Sequence, residues 1–370
     1  MPERMEKAMK HKSLSEIRRA AGSLWRDWRW QLKNRITSPA VLAGLRGLAA
    51  KNQNGIGEVL AAYPMLVTPY YLSLISDSAE NNPIARQCLP DLREITCRPD
   101  YPQDPLEEDA LMPVPKLVHR YPDRALAMVT GNCATYCRHC NSKRFWREQD
   151  SGTLKQRVGK MAGYIANNPQ IREVIVSGGD PLTLSDEALE FILDKFSSIS
   201  HVEVLRIGSR APAVLPMRIT RELCRLLKRY RPLWFNTQFN HPAEITKEAA
   251  RACNMLAEAG IPISNQSVLL RGINDSSATM RQLVTGLQKI SVRPYYLFHC
   301  EPVRGTAHFR TDAASGVRLM EELAKNCSGL ALPRYVADLP GEAGKIPLWA
   351  LSDTFKKNLE KHQDFFDFSK

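Results

Sequence analysis

The sequence predicts an α/β protein of parallel strands joined by crossover helices, a β/α barrel or a doubly wound sheet, behind a helical N-terminal region. Three observations carry this expectation. From Lys116 onward, short apolar runs of strand character alternate with amphipathic helical stretches, the pattern of repeated strand–helix units. The residues just after each run are unusually polar, as they are where strand ends build a site. A length of 370 residues, 44% hydrophobic and 24% charged, suffices for one large domain or two ordinary ones around a water-excluding core.

Residues 1–110 form the expected helical N-terminal region. Apolar residues recur at helical spacing from Val41 to Leu48, and a Pro-rich, acidic passage from Pro99 to Glu108 reads as a linker. The first 35 positions hold ten basic residues against four acidic ones. Such a head could touch an anion, but Trp25, Trp28 and Trp30 favour a solvated helix docked on the body. Residues 111–340 form the expected barrel. Its strands are Ala125 to Thr130, Glu173 to Ser177, Val202 to Ile207, Leu233 to Thr237, Ile263 to Leu269 and Tyr295 to His299. Helical windows at Asp186 to Phe196, Arg221 to Tyr230, Lys247 to Gly260 and Ala278 to Ile290 fall between them. A C-terminal segment, 341–370, carries the glycine-flanked Lys345.

Composition excludes several classes. The 24 Pro and 20 Gly follow no period, which removes collagen-like and coiled-coil readings. The longest uncharged stretch, Val59 to Ser76, is broken by Pro64 and Pro69 and reads as core, not as a membrane span. The opening MPERMEKAMKHK has no apolar signal region, so a cytoplasmic location is expected. Nine cysteines are too few for a disulfide scaffold and point to metal-binding or reactive thiols in a reducing compartment.

Three segments carry chemistry. In GNCATYCRHCNSKRF, Cys133, Cys137 and Cys140 follow the first predicted barrel strand at C-x3-C-x2-C spacing. Three soft thiolates in one loop can hold three irons of a [4Fe–4S] cluster and leave the fourth open; a zinc site completed by His139 is the competing reading. In VSGGDPL, Gly178 and Gly179 after a strand let the backbone approach a ligand closely, and Asp180 offers a carboxylate. In LPGEAGKIPL, Lys345 lies on a glycine-rich turn that is not a Walker A loop. Such a lysine is free to swing, as a Schiff-base lysine must be.

The cysteine spacing, with an aromatic residue before the second Cys, resembles the radical S-adenosylmethionine superfamily. The three segments in this order resemble the lysine 2,3-aminomutase family more narrowly, along with WRDWRWQLKNRIT, VHRYPDRAL, RIGSRAPAVLPMRIT, FNHPAEIT and NQSVLLRGIND. The resemblance implies a partial (β/α) barrel of the radical SAM type with a helical N-terminal extension. It implies a [4Fe–4S] cluster on Cys133, Cys137 and Cys140, and S-adenosyl-L-methionine contacted by Gly178, Gly179 and Asp180. Lys345 would bind pyridoxal 5'-phosphate as a Schiff base, with Arg120, Tyr121 and Arg124 on its phosphate. Ion pairing of the arginines with Asp123 is the plainer reading of that hairpin. The two carboxylates that receive the substrate's cationic end would be Glu301 and Asp338. Asp338 could also pair with Arg124.

The chain departs from the family at two places. Glu301 is one methylene longer than the usual Asp, which could suit a guanidinium; its plainer role is a pair with Arg304. The arginine that usually follows the third cysteine by two residues, and holds the substrate carboxylate, is Ser142 here. Either Lys143 substitutes, or the carboxylate is bound elsewhere, or the substrate is not the ordinary free amino acid. The C-terminal cysteine cluster that binds zinc in some relatives has no counterpart in the tail HQDFFDFSK.

The expected function is therefore a radical SAM 2,3-aminomutase, an isomerase that moves the α-amino group of a cationic L-amino acid to the β carbon. L-lysine to L-β-lysine comes first, through a pyridoxal-phosphate imine and a 5'-deoxyadenosyl radical. The alternatives are an arginine 2,3-aminomutase, or a radical SAM enzyme of another class such as a nucleic-acid-modifying one, suggested by the net charge of +12. Expected partners are the small-molecule amino acid, a reducing electron donor such as flavodoxin or ferredoxin, and a second copy in a homodimer. No membrane is expected, and nucleic acid is disfavoured.

Overall fold

In the computed structural model, the described residues are 13–38, 55–75, 82–148, 152–341 and 344–348. The apolar run Val41 to Leu48, the opening MPERMEKAMKHK, Ser76 and the tail beyond Leu348 lie outside them.

Nine strands form one sheet in sequence order. They are β1 (Leu117–Tyr121), β2 (Arg124–Thr130), β3 (Glu173–Gly178), β4 (Val204–Gly208), β5 (Leu233–Thr237), β6 (Ile263–Leu269), β7 (Arg293–His299), β8 (Arg334–Leu339) and β9 (Gly344–Pro347). Strands β2 to β8 pair in parallel, while β1 and β9 run antiparallel to β2 and β8. The six predicted strands are β2 to β7, with every end shifted by two residues or fewer. The additional strands β1, β8 and β9 carry charged residues, which masks their strand character; Arg120, Asp338 and Lys345 among them line a cavity.

Before the sheet come α1 (Leu14–Ala21), α2 (Trp28–Lys33), α3 (Ile56–Ala62), α4 (Pro69–Leu72), α5 (Pro83–Cys88) and α6 (Arg93–Thr96). Within it run α7 (Leu154–Ala166), α8 (Asp186–Ser197), α9 (Ala211–Val214), α10 (Arg221–Lys228), α11 (Lys247–Glu258), α12 (Ser277–Lys289) and α13 (Ala313–Asn326). All but the short α9 open on side-chain caps, Thr153, Ser185, Thr220, Thr246, Ser276 and Asp312, each accepting a backbone N–H of the first turn. On α8 the buried face is Leu189, Ile192, Leu193 and Phe196, each fully covered and contributing roughly 1.5–3 kcal/mol.

The sheet curls until its edges meet through side chains. Arg120 on β1 donates from Nη1 to Asp338 on β8 at 2.7 Å, and from Nε to the Gly341 carbonyl at 2.8 Å. A Cβ on Gly344 would stand 3.0 Å from the Tyr121 ring, so the β9 backbone lies directly against β1. A right-handed twist brings the ends of a long sheet together in this way, and a partial barrel results.

The N-terminal region covers the strands' carboxyl ends. Trp25 and Trp28 are buried, with the Arg218 guanidinium 4.4 Å above the Trp28 ring. Tyr71 donates its hydroxyl to Glu244 at 2.7 Å, and Thr68 donates to the Val214 carbonyl at 2.7 Å. Among the described residues no helix is long and apolar enough to cross a membrane. The passage Pro99 to Glu108 is not a free linker. Tyr101 and Leu106 are buried, and the Tyr101 hydroxyl accepts from Arg310 at 2.7 Å, so hydrophobic anchors outweigh its Pro-rich, acidic composition.

Candidate active site

The inner faces and carboxyl ends of the strands line a cavity of about 660 Å³, the size of a small-molecule site. Its wall includes Arg120, Tyr121, Arg124, Cys133, Cys137, Cys140, Gly178, Gly179, Asp180, Glu301, Asp338 and Lys345, residues separated by up to 225 positions in sequence.

The cysteine loop follows β2. Burial and neighbouring thiols push Cys133 well above the usual thiol range and Cys140 up to about 12. Crowded thiols in this setting hold their protons until a metal takes their place. Among the described residues no three His, Cys, Asp or Glu side chains converge on a point that could hold a single ion. Arg210, just after β4, donates from Nη1 to Cys137 Sγ at 2.7 Å and from Nη2 to Glu244 at 2.6 Å. His139 instead meets Gln238 and Asn240 through Nε2, 3.1 Å from each.

The double glycine after β3 has a different physical reason from the one its sequence suggests. A Cβ on Gly178 would stand 2.3 Å from the Thr130 carbonyl oxygen, and one on Gly179 2.3 Å from that of Asn132. Gly178 also has φ +135°. The close approach is to the start of the cysteine loop, sealed by hydrogen bonds from Gly179 N to Thr130 O and Asp180 N to Asn132 O, both 2.6 Å. Asp180 accepts from Ser209 Oγ at 2.8 Å, Leu182 N at 2.9 Å and Arg210 N at 3.0 Å. Burial nevertheless pushes its carboxyl up to about 6. On the same wall, His139 Nδ1 and Thr237 Oγ1 are buried without a hydrogen-bond partner, as in a site built for a polar ligand.

Lys345 projects from β9. Its Nζ lies 2.7 Å from Asp338 Oδ2 and 3.4 Å from the Tyr121 hydroxyl. Burial works to lower its pKa, but Asp338 and Tyr121 outweigh it and hold the ammonium above its usual value. Arg120 serves Asp338 and the carbonyls of Leu339 and Gly341, so Asp338 pairs with Arg120 where Arg124 was expected. Arg124 instead pairs with Asp123 at 2.6 Å and stacks 3.8 Å over the Tyr121 ring. The PD turn between β1 and β2 places that carboxylate beside it.

Glu301 follows β7. Its Oε2 is buried without a partner, and burial, with Asp338 and Glu108 nearby, pushes the carboxyl up to about 8 against the pull of an Asn141 hydrogen bond. Arg304 turns away, donating from Nε to the Tyr101 carbonyl at 3.1 Å. Lys143 does not reach the cavity either: its Nζ bonds Glu94 at 2.9 Å, the Arg138 carbonyl at 2.9 Å and the Gly305 carbonyl at 3.0 Å. Ser142 Oγ donates to Asn141 Oδ1 at 3.2 Å. The sequence reading missed Glu108, which also lines the cavity and pairs with Arg144 at 3.0 Å. It sits in the acidic passage read as a linker, so no local pattern marks it.

Comparison with known proteins agrees with this geometry. The Radical SAM superfamily profile matches residues 128–284. The L-lysine 2,3-aminomutase of Clostridium subterminale is 48% identical over 324 residues, covering 88% of this chain and 78% of that one. The enzyme of the same name from Fusobacterium nucleatum is also 48% identical, over 88% and 76%. A glutamate 2,3-aminomutase from Clostridioides difficile is 43% identical over 324 residues, 88% of this chain and 76% of its own. With identity on this scale over 88% of its length, the chain belongs to the lysine 2,3-aminomutase family of radical S-adenosylmethionine isomerases, which use a [4Fe–4S] cluster and S-adenosylmethionine.

Proposed function

We propose that the chain is a 2,3-aminomutase for a cationic L-α-amino acid, lysine before arginine. The observation that carries this reading is the pair of acids on the wall that also presents Lys345: buried Asp338, and Glu301 with a buried, unpartnered Oε2. A substrate cation satisfies that oxygen. A carboxylate or an apolar side chain leaves it unpaired or repelled.

Cys133, Cys137 and Cys140 are assigned to the cluster, and Gly178, Gly179 and Asp180 to the S-adenosylmethionine side of the cavity. Lys345 is assigned to pyridoxal phosphate, with Arg124 and Tyr121 on its phosphate. Arg120 is assigned to the same phosphate, and its contacts with Asp338, Leu339 and Gly341 also hold the Lys345 segment to β1. Together the bound cofactors supply a hydrogen-abstracting radical and a π-bonded nitrogen that can migrate between adjacent carbons. The chain's own residues place the substrate between the two and exclude water.

An anaerobic assay of an amino-acid panel tests the reading. Lysine and arginine are expected to exceed glutamate, alanine and leucine by at least about a hundredfold in kcat/KM, the penalty for leaving a buried polar group unpaired. Glutamate or a neutral amino acid as best substrate would overturn it.

The pH dependence has a definite sign. Glu301 titrates near pH 8 in the free site, facing Asp338, Glu108, Lys345 and Cys140, and must lose its proton to receive a cation. Between pH 6 and 8, kcat/KM for lysine is expected to rise up to about tenfold per unit and then flatten. In Glu301→Gln the rise should vanish, with kcat/KM lower throughout. A flat profile in the unaltered chain would remove Glu301 from this role.

A further inference from the structure

Two cations built into the cysteine loop serve neither the cavity nor the surface. Arg138 lies between Cys137 and Cys140, and Lys143 lies three residues past Cys140. Both close on Glu94, a residue of α6 that stands 44 positions before Arg138 and whose side chain is fully buried. Arg138 donates from Nε to Glu94 Oε1 at 2.9 Å and from Nη2 to Oε2 at 2.7 Å, a two-pronged contact. Lys143 adds a third bond to Oε2 at 2.9 Å. The remaining donors are spent on backbone: Arg138 on Pro64 and Tyr63, Lys143 on Arg138 itself and Gly305. The bond from Lys143 to the Arg138 carbonyl ties the loop across Cys140.

We infer that Glu94, Arg138 and Lys143 form a buried clamp that positions the cysteine loop and balances the charge of the cluster it carries. One carboxylate faces two cations, so the clamp holds a surplus positive charge in a site closed to water. A buried surplus of this kind is expensive unless a counter-charge lies close. Three thiolates around a four-iron core supply that counter-charge, and the added electron of the reduced state increases it. These three are positioning residues, since each acts through the cysteines. The same contacts explain why Lys143 is not free to hold a substrate carboxylate.

The test uses the full chain, reconstituted anaerobically with iron and sulfide and loaded with pyridoxal phosphate. Lys143→Met is expected to lose iron to a chelator about tenfold faster or more, the usual cost of removing a group that supports metal ligands. Its cluster should have a more negative midpoint potential, read by electron paramagnetic resonance during a redox titration, because a nearby cation has gone. Lys143→Arg keeps the charge and should hold iron and potential near those of the unaltered chain. Glu94→Gln sets two cations against each other and should lose iron as Lys143→Met does. Pyridoxal phosphate absorbance, which depends on Lys345, should persist in all three and serves as the control for folding.

If Lys143→Met kept its iron and its potential while KM for the amino acid rose, Lys143 would be a substrate handle and the clamp would fall. Joint loss of iron and pyridoxal phosphate would also count against it, since the whole fold would then be at fault. The inference rests on Cys133, Cys137 and Cys140 as cluster ligands. Failure of that assignment would appear separately, as an unaltered chain that binds no iron.

Discussion

Cys137→Ala is expected to leave the chain without a stable cluster and without cleavage of S-adenosylmethionine. Three thiolates hold three irons in the assigned site, and removing one exposes an iron edge to solvent and chelators. Cys137 is also held from outside the loop: the Arg210 guanidinium 2.7 Å from its sulfur is itself bonded to Glu244, Gln87 and Tyr71. The substitution removes one small, half-buried side chain, so the barrel should stay folded. Iron per chain, the visible absorption of the cluster and release of 5'-deoxyadenosine under reducing conditions measure the result. Product formation should fall by at least about 10⁶-fold, the low end of what enzymes contribute over the uncatalysed rate. Retained turnover in Cys137→Ala would remove the basis for radical chemistry at this loop.

Lys345→Ala should separate the two halves of the reaction. It removes the amine that faces Asp338 and Tyr121 on the closing edge of the barrel, far along the chain from the cysteines. Covalent capture of pyridoxal phosphate should disappear, and amino-group migration should fall by about 10⁴-fold or more, the scale of losing a covalent catalytic residue. Release of 5'-deoxyadenosine should remain detectable, because the cluster loop keeps its contacts with β3 and with Glu94. Borohydride reduction followed by peptide mapping reads the adduct directly. An adduct found on another lysine of the variant would show that Lys345 had been misassigned.

Much of this was legible along the chain. The C-x3-C-x2-C spacing is local, since one short loop must present three thiolates, and its position after a strand is also local. Strands β2 to β7 announce themselves as apolar runs because both of their faces are largely covered, which is what parallel strands under helices require. Helical periodicity likewise marks α8, α10, α11 and α12, but not α7 and α13. The glycine-flanked lysine was visible because its pattern is local too.

Partnerships were not legible, because they depend on which side chains meet when the sheet curls. Lys143, Arg144 and Arg120 are interchangeable as cations in sequence, yet each is committed by geometry: Lys143 to Glu94, Arg144 to Asp104 and Glu108, Arg120 to Asp338. The glycines after β3 look like a ligand cradle in sequence, but their first neighbour is the Thr130–Asn132 backbone. The passage Pro99 to Glu108 reads as a linker until Tyr101 and Leu106 are seen buried against the body. By itself, then, the sequence determined strands β2 to β7, the cysteine loop and the glycine-flanked lysine, though not that this lysine stands on a strand, because periodicity and spacing act over a few residues. The tertiary structure alone decided which charges neutralise which. That choice turns on distances of about 3 Å between residues tens to hundreds of positions apart, where burial makes each pairing costly to exchange.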